Sequence, residues 1–396
     1  MKVFVTGIGT INAIGDNADQ TFAGLKRGES GISTLRYLKT MHTDLPCGEI
    51  KMSYEQLADF AQVNRNSPLV RTPLMGLIAA REAVNSARLS KTTGGNMAFI
   101  SGTTVGGMDR MEQFYDDFVN NDSKNRYLYP HDIGDSTQYI ADKLGLFSFA
   151  TSISTACSSG ANAIIFGAEL IKSGRYDIVV AGACESLSSY HFNGFNSLMI
   201  LDRQLCRPFD DSRSGLNLGE GAGYIVLESE ISAKRRRAEI LCELTGYGNA
   251  CDAFHQTATS ENGEGPYLAM TKALEMAELK PCEIDYVNAH GTGTPNNDLT
   301  ESVALKRVFG DNSVPDFSST KAFTGHTTSA AGGVEAVMSV MCLMNDFLPK
   351  SLNFSNPIPE IGLIPLTENK EKFLRSVMTN SFGFGGNDSS LIFSRP

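Results

Sequence analysis

The sequence predicts an α/β fold built from two similar halves. Short apolar runs rich in β-branched residues alternate with segments whose apolar residues recur at helical spacing, which indicates mostly buried strands between helices. At 396 residues the chain is long enough for two domains, or for one large unit made of two halves. The halves also echo each other faintly. Ile100-Ser101-Gly102-Thr103-Thr104 and Asn288-Ala289-His290-Gly291-Thr292 are both strands ending in small residues. In each half a loop of small polar residues, around Cys157 and around His326, precedes a helix rich in small residues.

The first strand is Val3–Thr6. Gly7-Ile8-Gly9 follows it and superficially resembles a dinucleotide-binding start, but the third glycine is missing at Asn12 and no helix clearly begins there, so a tight glycine turn is expected instead. A helix is predicted over Pro73–Ala87, with Thr72 as its cap and Pro73 at the first helical position. A strand at Ala98–Gly102 comes next, then an extended run from Ala150 to Cys157. The helix Ser158–Ser173 carries Ile164, Ile165, Ala168 and Ile171 on one face and stops at Gly174. Further strands are Ile178–Gly182, Tyr224–Glu228, Tyr286–Ala289 and Leu391–Ser394; further helices are Leu299–Phe309 and Ala330–Asn345. The charged run Lys234-Arg235-Arg236-Arg237 reads as a solvated connector between halves placed at 1–240 and 241–396.

Composition narrows the function classes. The 44 acidic residues outnumber 34 basic ones, for a net charge of −10, which argues against nucleic acid as the main partner. Eight cysteines without CxxC pairs argue against a disulfide framework or structural zinc and fit a cytoplasmic setting. The opening Met1-Lys2-Val3-Phe4-Val5 lacks the regions of a signal peptide, and no apolar run approaches the roughly 20 residues of a membrane helix.

The most informative stretch is Thr155-Ala156-Cys157-Ser158-Ser159-Gly160. It sets a cysteine at a strand-to-helix junction, where the positive end of the helix dipole favours thiolate, and small neighbours leave room for a carbonyl. The competing reading is a small core cysteine. Three other segments are dense in polar groups: His290 to Asp298 after a strand, Lys321-Ala322-Phe323-Thr324-Gly325-His326 before the helix that carries Glu335, and the glycine loop Asn380 to Gly386. Singly, each could be a capping histidine, a surface lysine or a glycine turn. Together they offer a nucleophile, two imidazoles, a cation and a pliable backbone.

With these motifs in this order, the chain resembles the β-ketoacyl-acyl carrier protein synthases with a Cys-His-His site. The resemblance spans almost the whole length: Val5-Thr6-Gly7-Ile8-Gly9, Thr-Ala-Cys-Ser-Ser-Gly, Arg207-Pro208-Phe209-Asp210, Leu218-Gly219-Glu220-Gly221-Ala222-Gly223, Asp252-Ala253-Phe254-His255, the two histidine segments, and Ser381–Gly386. It implies a thiolase-like five-layered αβαβα fold of two pseudo-duplicated halves, usually as a homodimer. It also implies a decarboxylative Claisen condensation between an acyl group on Cys157 and a malonyl group, both delivered on the phosphopantetheine of an acyl carrier protein. By the same resemblance His290 and His326 stabilise the enolate and Lys321 organises the site through Glu335, with Asp298 in support. Backbone N–H groups of Cys157 and Phe384 form the oxyanion hole, and Phe384 gates the malonyl site. Val105, Phe195 and Phe384 are pocket candidates. Asn288, Glu301, Glu335 and Asn380 fall where some relatives place a monovalent cation. No other cofactor is implied.

The chain departs from the familiar elongases in three places. Asn387-Asp388 stand where Thr-Asn is usual, the segment from Phe195 to Arg207 is short, and Arg213-Ser214-Gly215-Leu216-Asn217-Leu218 is atypical. These features are similar to synthases dedicated to polyene or aromatic pigment chains, including those that act as the catalytic half of a heterodimer. An acidic carrier needs a basic face, for which Arg65 and Arg71 are the main candidates, with Lys124, Arg126 and Arg203 as contributors. Three alternatives are disfavoured. A thiolase would need a second cysteine near the C-terminus, and none follows Cys342; a Cys-His-Asn synthase would carry asparagine at His326; a non-catalytic chain-length partner would lack Cys157.

Overall fold

The computed structural model describes residues 1–65, 67, 70–120, 125, 127 and 132–396. The strands are β1 (Val3–Ile11), β2 (Met97–Gly102), β3 (Phe149–Ile153), β4 (Ile178–Glu185), β5 (Gly221–Ser229), β6 (Cys242–Cys251), β7 (Tyr286–Asn288), β8 (Asp316–Ser318), β9 (Phe347–Leu348), β10 (Lys370–Glu371), β11 (Ser376–Gly383) and β12 (Asn387–Ser394). Ten of them hydrogen-bond in the order β3-β2-β4-β5-β1-β6-β12-β11-β7-β8, while β9 and β10 pair separately. The order from each outer edge inward is the same: third, second, fourth, fifth and first strand of the half. The pairing sense also repeats. β2 runs parallel to β3 and β4, as β7 does to β8 and β11, and the inner pairs are antiparallel. Only Phe4 and Val5 of β1 pair with β6 across the join.

Three helical layers separate and cover the half-sheets. On one outside, the helices Arg71–Ser86 and Ile133–Leu144 bring Leu74, Leu77 and Ile140 against Phe99, Val180 and Tyr224. On the other, Glu264–Ala277 and Pro295–Phe309 bring Met270, Leu274 and Leu305 against Val287, Met378 and Ile392. Between the half-sheets lie Ser159–Lys172 and Ala331–Asn345, whose Ile164, Ile171, Val337 and Met341 form the central core with Val179, Val377 and Leu391. Residues 331–343 are all buried, so this helix is apolar around most of its circumference, as a helix packed between two sheets must be. The five layers are the thiolase-like arrangement expected from the sequence.

Two local expectations change. Gly7 and Gly9 do not make a turn; they lie inside β1. A Cβ on them would come within 2.4 Å of the Ala83 carbonyl and 2.1 Å of the Ala79 carbonyl, so the glycines let the helix Arg71–Ser86 sit directly on the strand. That helix begins two residues before Pro73, with Val70 as a cap that makes no side-chain bond. Thr72 is buried in the first turn and donates its hydroxyl to the Gly106 carbonyl, while Asp109 accepts the Arg71 N–H from outside the helix.

The two central helices cross at glycines. A Cβ on Gly160 would lie 2.5 Å from the Gly333 nitrogen, and one on Gly332 2.5 Å from the Ala161 nitrogen. This close crossing brings together the N-terminal ends of the two helices, and with them the Cys157 and His326 loops. Gly160→Ala is expected to force the helices apart and lower stability by about 1–3 kcal/mol, read by denaturant unfolding. An unchanged midpoint would contradict the crossing.

Candidate active site

The nucleophile candidate sits on a locked turn. Ala156 adopts φ +52°, in the left-handed region that alanine rarely enters. Ser159 holds this turn: its Oγ donates to the Ala156 carbonyl at 2.6 Å and accepts the Thr155 N–H at 2.9 Å. Cys157 therefore lies between the end of β3 and the helix Ser159–Lys172, and it is buried.

His290 follows β7. Glu301, reaching from the helix Pro295–Phe309, accepts the backbone N–H groups of His290 and Gly291, both at 2.8 Å. Asp298, one turn earlier, accepts the Gly293 N–H at 3.1 Å and the Phe209 N–H at 2.7 Å. The carboxylates thus fix the loop that carries His290. The other loop is fixed by backbone bonds: the His326 N–H donates to the Asn217 carbonyl at 2.7 Å, and the His326 carbonyl accepts the Gly219 N–H at 2.9 Å.

The three side chains converge. The Cys157 sulfur and ring nitrogens of His290 and His326 lie within 4.8 Å of one another. His326 Nε2 is 3.2 Å from Cys157 Sγ, and the imidazole rings stand nearly perpendicular, at 85°. Behind them the buried Lys321 Nζ donates to Glu335 Oε1 at 2.5 Å and to His290 Nδ1 at 3.2 Å. Because an ammonium can only donate, His290 Nδ1 must accept, and the ring proton sits on Nε2.

Electrostatics set the resting protonation. Burial pushes both imidazoles well below the usual histidine range, and the Lys321 charge adds to it, so both are neutral. Burial pushes the Cys157 thiol up to about 11, against the Lys321 charge and the Phe384 N–H. Desolvation thus opposes the thiolate that the helix dipole favours and holds the proton on the resting sulfur. A neutral imidazole 3.2 Å from a thiol can instead accept its proton as the sulfur attacks. Burial also raises Glu335 to about 7, opposed by Lys321.

Cys157, His290 and His326 line a cavity of about 290 Å3, together with Phe195, Phe384 and Thr292. The Phe195 and Phe384 rings stack with centroids 5.8 Å apart. Val105 is half-buried and does not line this cavity. Much of the set named for a cation is engaged within the protein, although Glu335 Oε2 has no partner among the described residues. Both Glu301 oxygens accept backbone N–H groups, Asn380 turns its Nδ2 toward Glu301 and its Oδ1 toward Ser390, and Glu335 is engaged by Lys321.

The carrier-docking expectation needs correction at Arg71. Its guanidinium is mostly covered, pairs with Glu220 and donates to the Met52 carbonyl at 2.9 Å, so little of it is left to meet a partner. Arg65 is exposed and pairs with Asp59, and Arg203 pairs with Asp44. Lys124 and Arg126 lie outside the described residues.

Sequence reasoning missed Glu185, which accepts the Thr103 hydroxyl at 3.0 Å and the Ser329 hydroxyl at 2.6 Å and so ties the loop after β2 to the His326 segment. An acidic residue at the end of an apolar strand was the available signal. Asp388 is one of the two residues that depart from the usual Thr-Asn. Buried beneath the glycine loop, its Oδ2 has no partner among the described residues, and burial with the nearby Asp252 charge raises it to about 8. Its folded value exceeds its unfolded one, so the protonated form contributes stability that is full below pH ~4 and is lost as pH rises toward 8. Asp388→Asn is expected to raise the thermal midpoint at pH 8 and leave it unchanged near pH 4, measured by calorimetry.

Residues 1–233 match the N-terminal domain of β-ketoacyl synthases and residues 241–355 match the C-terminal domain. The chain is 32% identical to 3-oxoacyl-[acyl-carrier-protein] synthase 2 of Vibrio cholerae, covering 100% of this chain and 99% of that protein. Among solved structures it superimposes on the ishigamide ketosynthase/chain length factor with a TM-score of 0.93 at 30% identity, covering 100% of this chain and 99% of the other. It superimposes on a ketosynthase solved in complex with its chain length factor, from Xenorhabdus doucetiae, with a TM-score of 0.87 at 31% identity, covering 100% and 98%. With its two domains matched in order and its whole length shared, this chain belongs to the β-ketoacyl synthase family.

Proposed function

We propose that the protein is a 3-oxoacyl-[acyl carrier protein] synthase that works through Cys157, His290 and His326. The observation that carries this reading is the convergence of a thiol and two neutral imidazoles, with Lys321 fixing one of their tautomers. Cys157 Sγ attacks the acyl thioester as His326 accepts the thiol proton, and that proton leaves on the departing pantetheine thiol. N–H groups of Cys157 and Phe384 receive the charge on the tetrahedral oxygen. Malonyl carrier then enters. Its carboxylate leaves as carbon dioxide while the enolate oxygen accepts a hydrogen bond from the Nε2–H of His290, the tautomer that Lys321 holds, with the His326 ring beside it. The carbanion attacks the Cys157 thioester, gives a β-ketoacyl carrier two carbons longer, and a solvent proton restores the thiol. No cation enters these steps. Phe384, beside Gly385 and Gly386 with φ of +80° and +75°, gates the second substrate.

The partners are acyl- and malonyl-loaded carrier proteins, docked near exposed basic residues such as Arg65, and a second subunit. The outer strand β3 leaves one edge unpaired and exposes Phe149, which suits pairing with that subunit. The setting is the cytoplasm; no helix among the described residues is long and apolar enough to cross a membrane. The repeated strand order supports division into halves at 1–240 and 241–396.

A second reading makes the chain the catalytic half of a ketosynthase/chain length factor heterodimer in a polyene or polyketide pathway. The likeness to the ishigamide pair and the departures at Asn387 and Asp388 favour it. Intact mass of carrier products from saturated primers of varied length and from a conjugated dienoyl primer tests both. Extension of the saturated series by the protein alone supports the first reading. Extension of the dienoyl primer, only with an added partner subunit, supports the second.

A further inference from the structure

Asn387 stands where the familiar elongases have threonine, and none of the steps above uses it. It is the first residue of β12, paired with Gly383 across the glycine loop, so it marks the point where that loop ends. Its side chain turns toward the nucleophile. Asn387 Oδ1 accepts Asn162 Nδ2 at 2.7 Å and Asn249 Nδ2 at 2.9 Å, and it lies 2.8 Å from the Ser158 hydroxyl. Ser158 follows Cys157 directly, and Asn162 lies one turn further along the same helix. The orientation of Asn162 is fixed by its neighbours, because its Oδ1 accepts from Ser389 Oγ at 2.8 Å and from Asn249 Nδ2 at 3.1 Å. Its Nδ2 therefore faces Asn387 and the Thr155 hydroxyl, the latter at 2.9 Å.

The glycine loop thus has two kinds of tether. On one side the Gly385 N–H donates to the Gln256 carbonyl at 2.7 Å, and the Gly386 carbonyl accepts the Asp252 N–H at 2.8 Å. On the other, Asn387 joins the loop's end to the first turn of the Cys157 helix. Gly383 packs so closely there that a Cβ would lie 3.2 Å from the Cys157 nitrogen. The two N–H groups assigned to the oxyanion, on Cys157 and Phe384, sit on the two segments that Asn387 joins.

We infer that Asn387 is a positioning residue for Cys157 acylation, holding the loop that carries the Phe384 N–H in register with the helix that carries Cys157. This rests on the assignment of Cys157 and the oxyanion hole above. The amide oxygen is the working group, so an acceptor of the same shape should replace it and an apolar isostere should not.

The test follows Cys157 acylation by intact mass, using a small acyl thioester of N-acetylcysteamine with the full-length protein. Asn387→Leu is expected to slow acylation about tenfold at saturating substrate, with KM changed by less than about twofold and the thermal midpoint near that of the parent. Asn387→Asp, which keeps the acceptor, is expected to restore most of the rate. Ser389→Ala, which removes bonds to Asn162 and Asn249 but none to Asn387 itself, is expected to slow acylation much less than Asn387→Leu. If Asn387→Leu loses its cooperative thermal transition, Asn162→Ala carries the same expectation from the helix side. Acylation by Asn387→Leu or Asn162→Ala at the parental rate overturns the inference while leaving the reaction assignment intact. So does an equal loss in Asn387→Leu and Asn387→Asp. A parent that takes no acyl group on Cys157 overturns both.

Discussion

Cys157→Ala is expected to abolish condensation, with a loss of at least about 10^4-fold in product formation and no acyl adduct on the protein. Alanine fits the space of the thiol, and the turn is held by Ser159 and not by the sulfur, so the fold should persist. The second substrate's site does not include the thiol. His290, His326 and Lys321 remain in place, so slow decarboxylation of malonyl carrier should survive in this variant. Single-turnover assays with labelled malonyl carrier separate the two. Parallel loss of decarboxylation and acylation would mean that the sulfur has a role beyond nucleophile.

Lys321→Met is expected to do the reverse. Its ammonium lies between Glu335 and His290 Nδ1, so the substitution frees Nδ1 to carry the proton and empties Nε2 where the enolate needs a donor. Decarboxylation should fall by about 10^2–10^3-fold, the scale of losing one preorganised donor. Glu335 would be left without its cation, but a carboxyl already raised to about 7 protonates at little further cost, so folding should survive. Cys157 acylation, which uses His326 and backbone N–H groups, should fall much less. Equal losses in both half-reactions would show that Lys321 acts on the whole site and not through His290.

Much of this architecture was legible in the chain. The strands β1, β2, β4, β5, β7 and β12 stand out because each is a short run of β-branched or aromatic residues between turn signals, and the Cys157 and His326 loops stand out because their small residues are out of place in any ordinary core. What was not legible depends on burial, which a single sequence does not display. Arg71 reads as a docking residue because an arginine before a helix is usually solvated; here Glu220, far away in sequence, engages it and leaves little of it exposed. Cys157 reads as a thiolate because the dipole is local, whereas the burial that opposes it depends on segments distant in sequence. Gly7 and Gly9 read as a turn, though their purpose is to admit a helix that begins more than 60 residues later. Val105 is not among the residues that line the cavity with Phe195 and Phe384. The motif order carried the reaction, but contacts between segments decided which residues belong to the site.

The central claim is that one thiol carries the acyl group between two carrier proteins. Mass spectrometry of the Cys157 peptide, first with acyl carrier alone and then after malonyl carrier is added, tests it most directly. The acyl mass should appear on Cys157 in the first step. It should disappear in the second as a β-ketoacyl carrier two carbons longer forms with release of carbon dioxide. Condensed product formed with Cys157 never acylated, or an acyl group on Cys157 that malonyl carrier does not remove, would contradict the account.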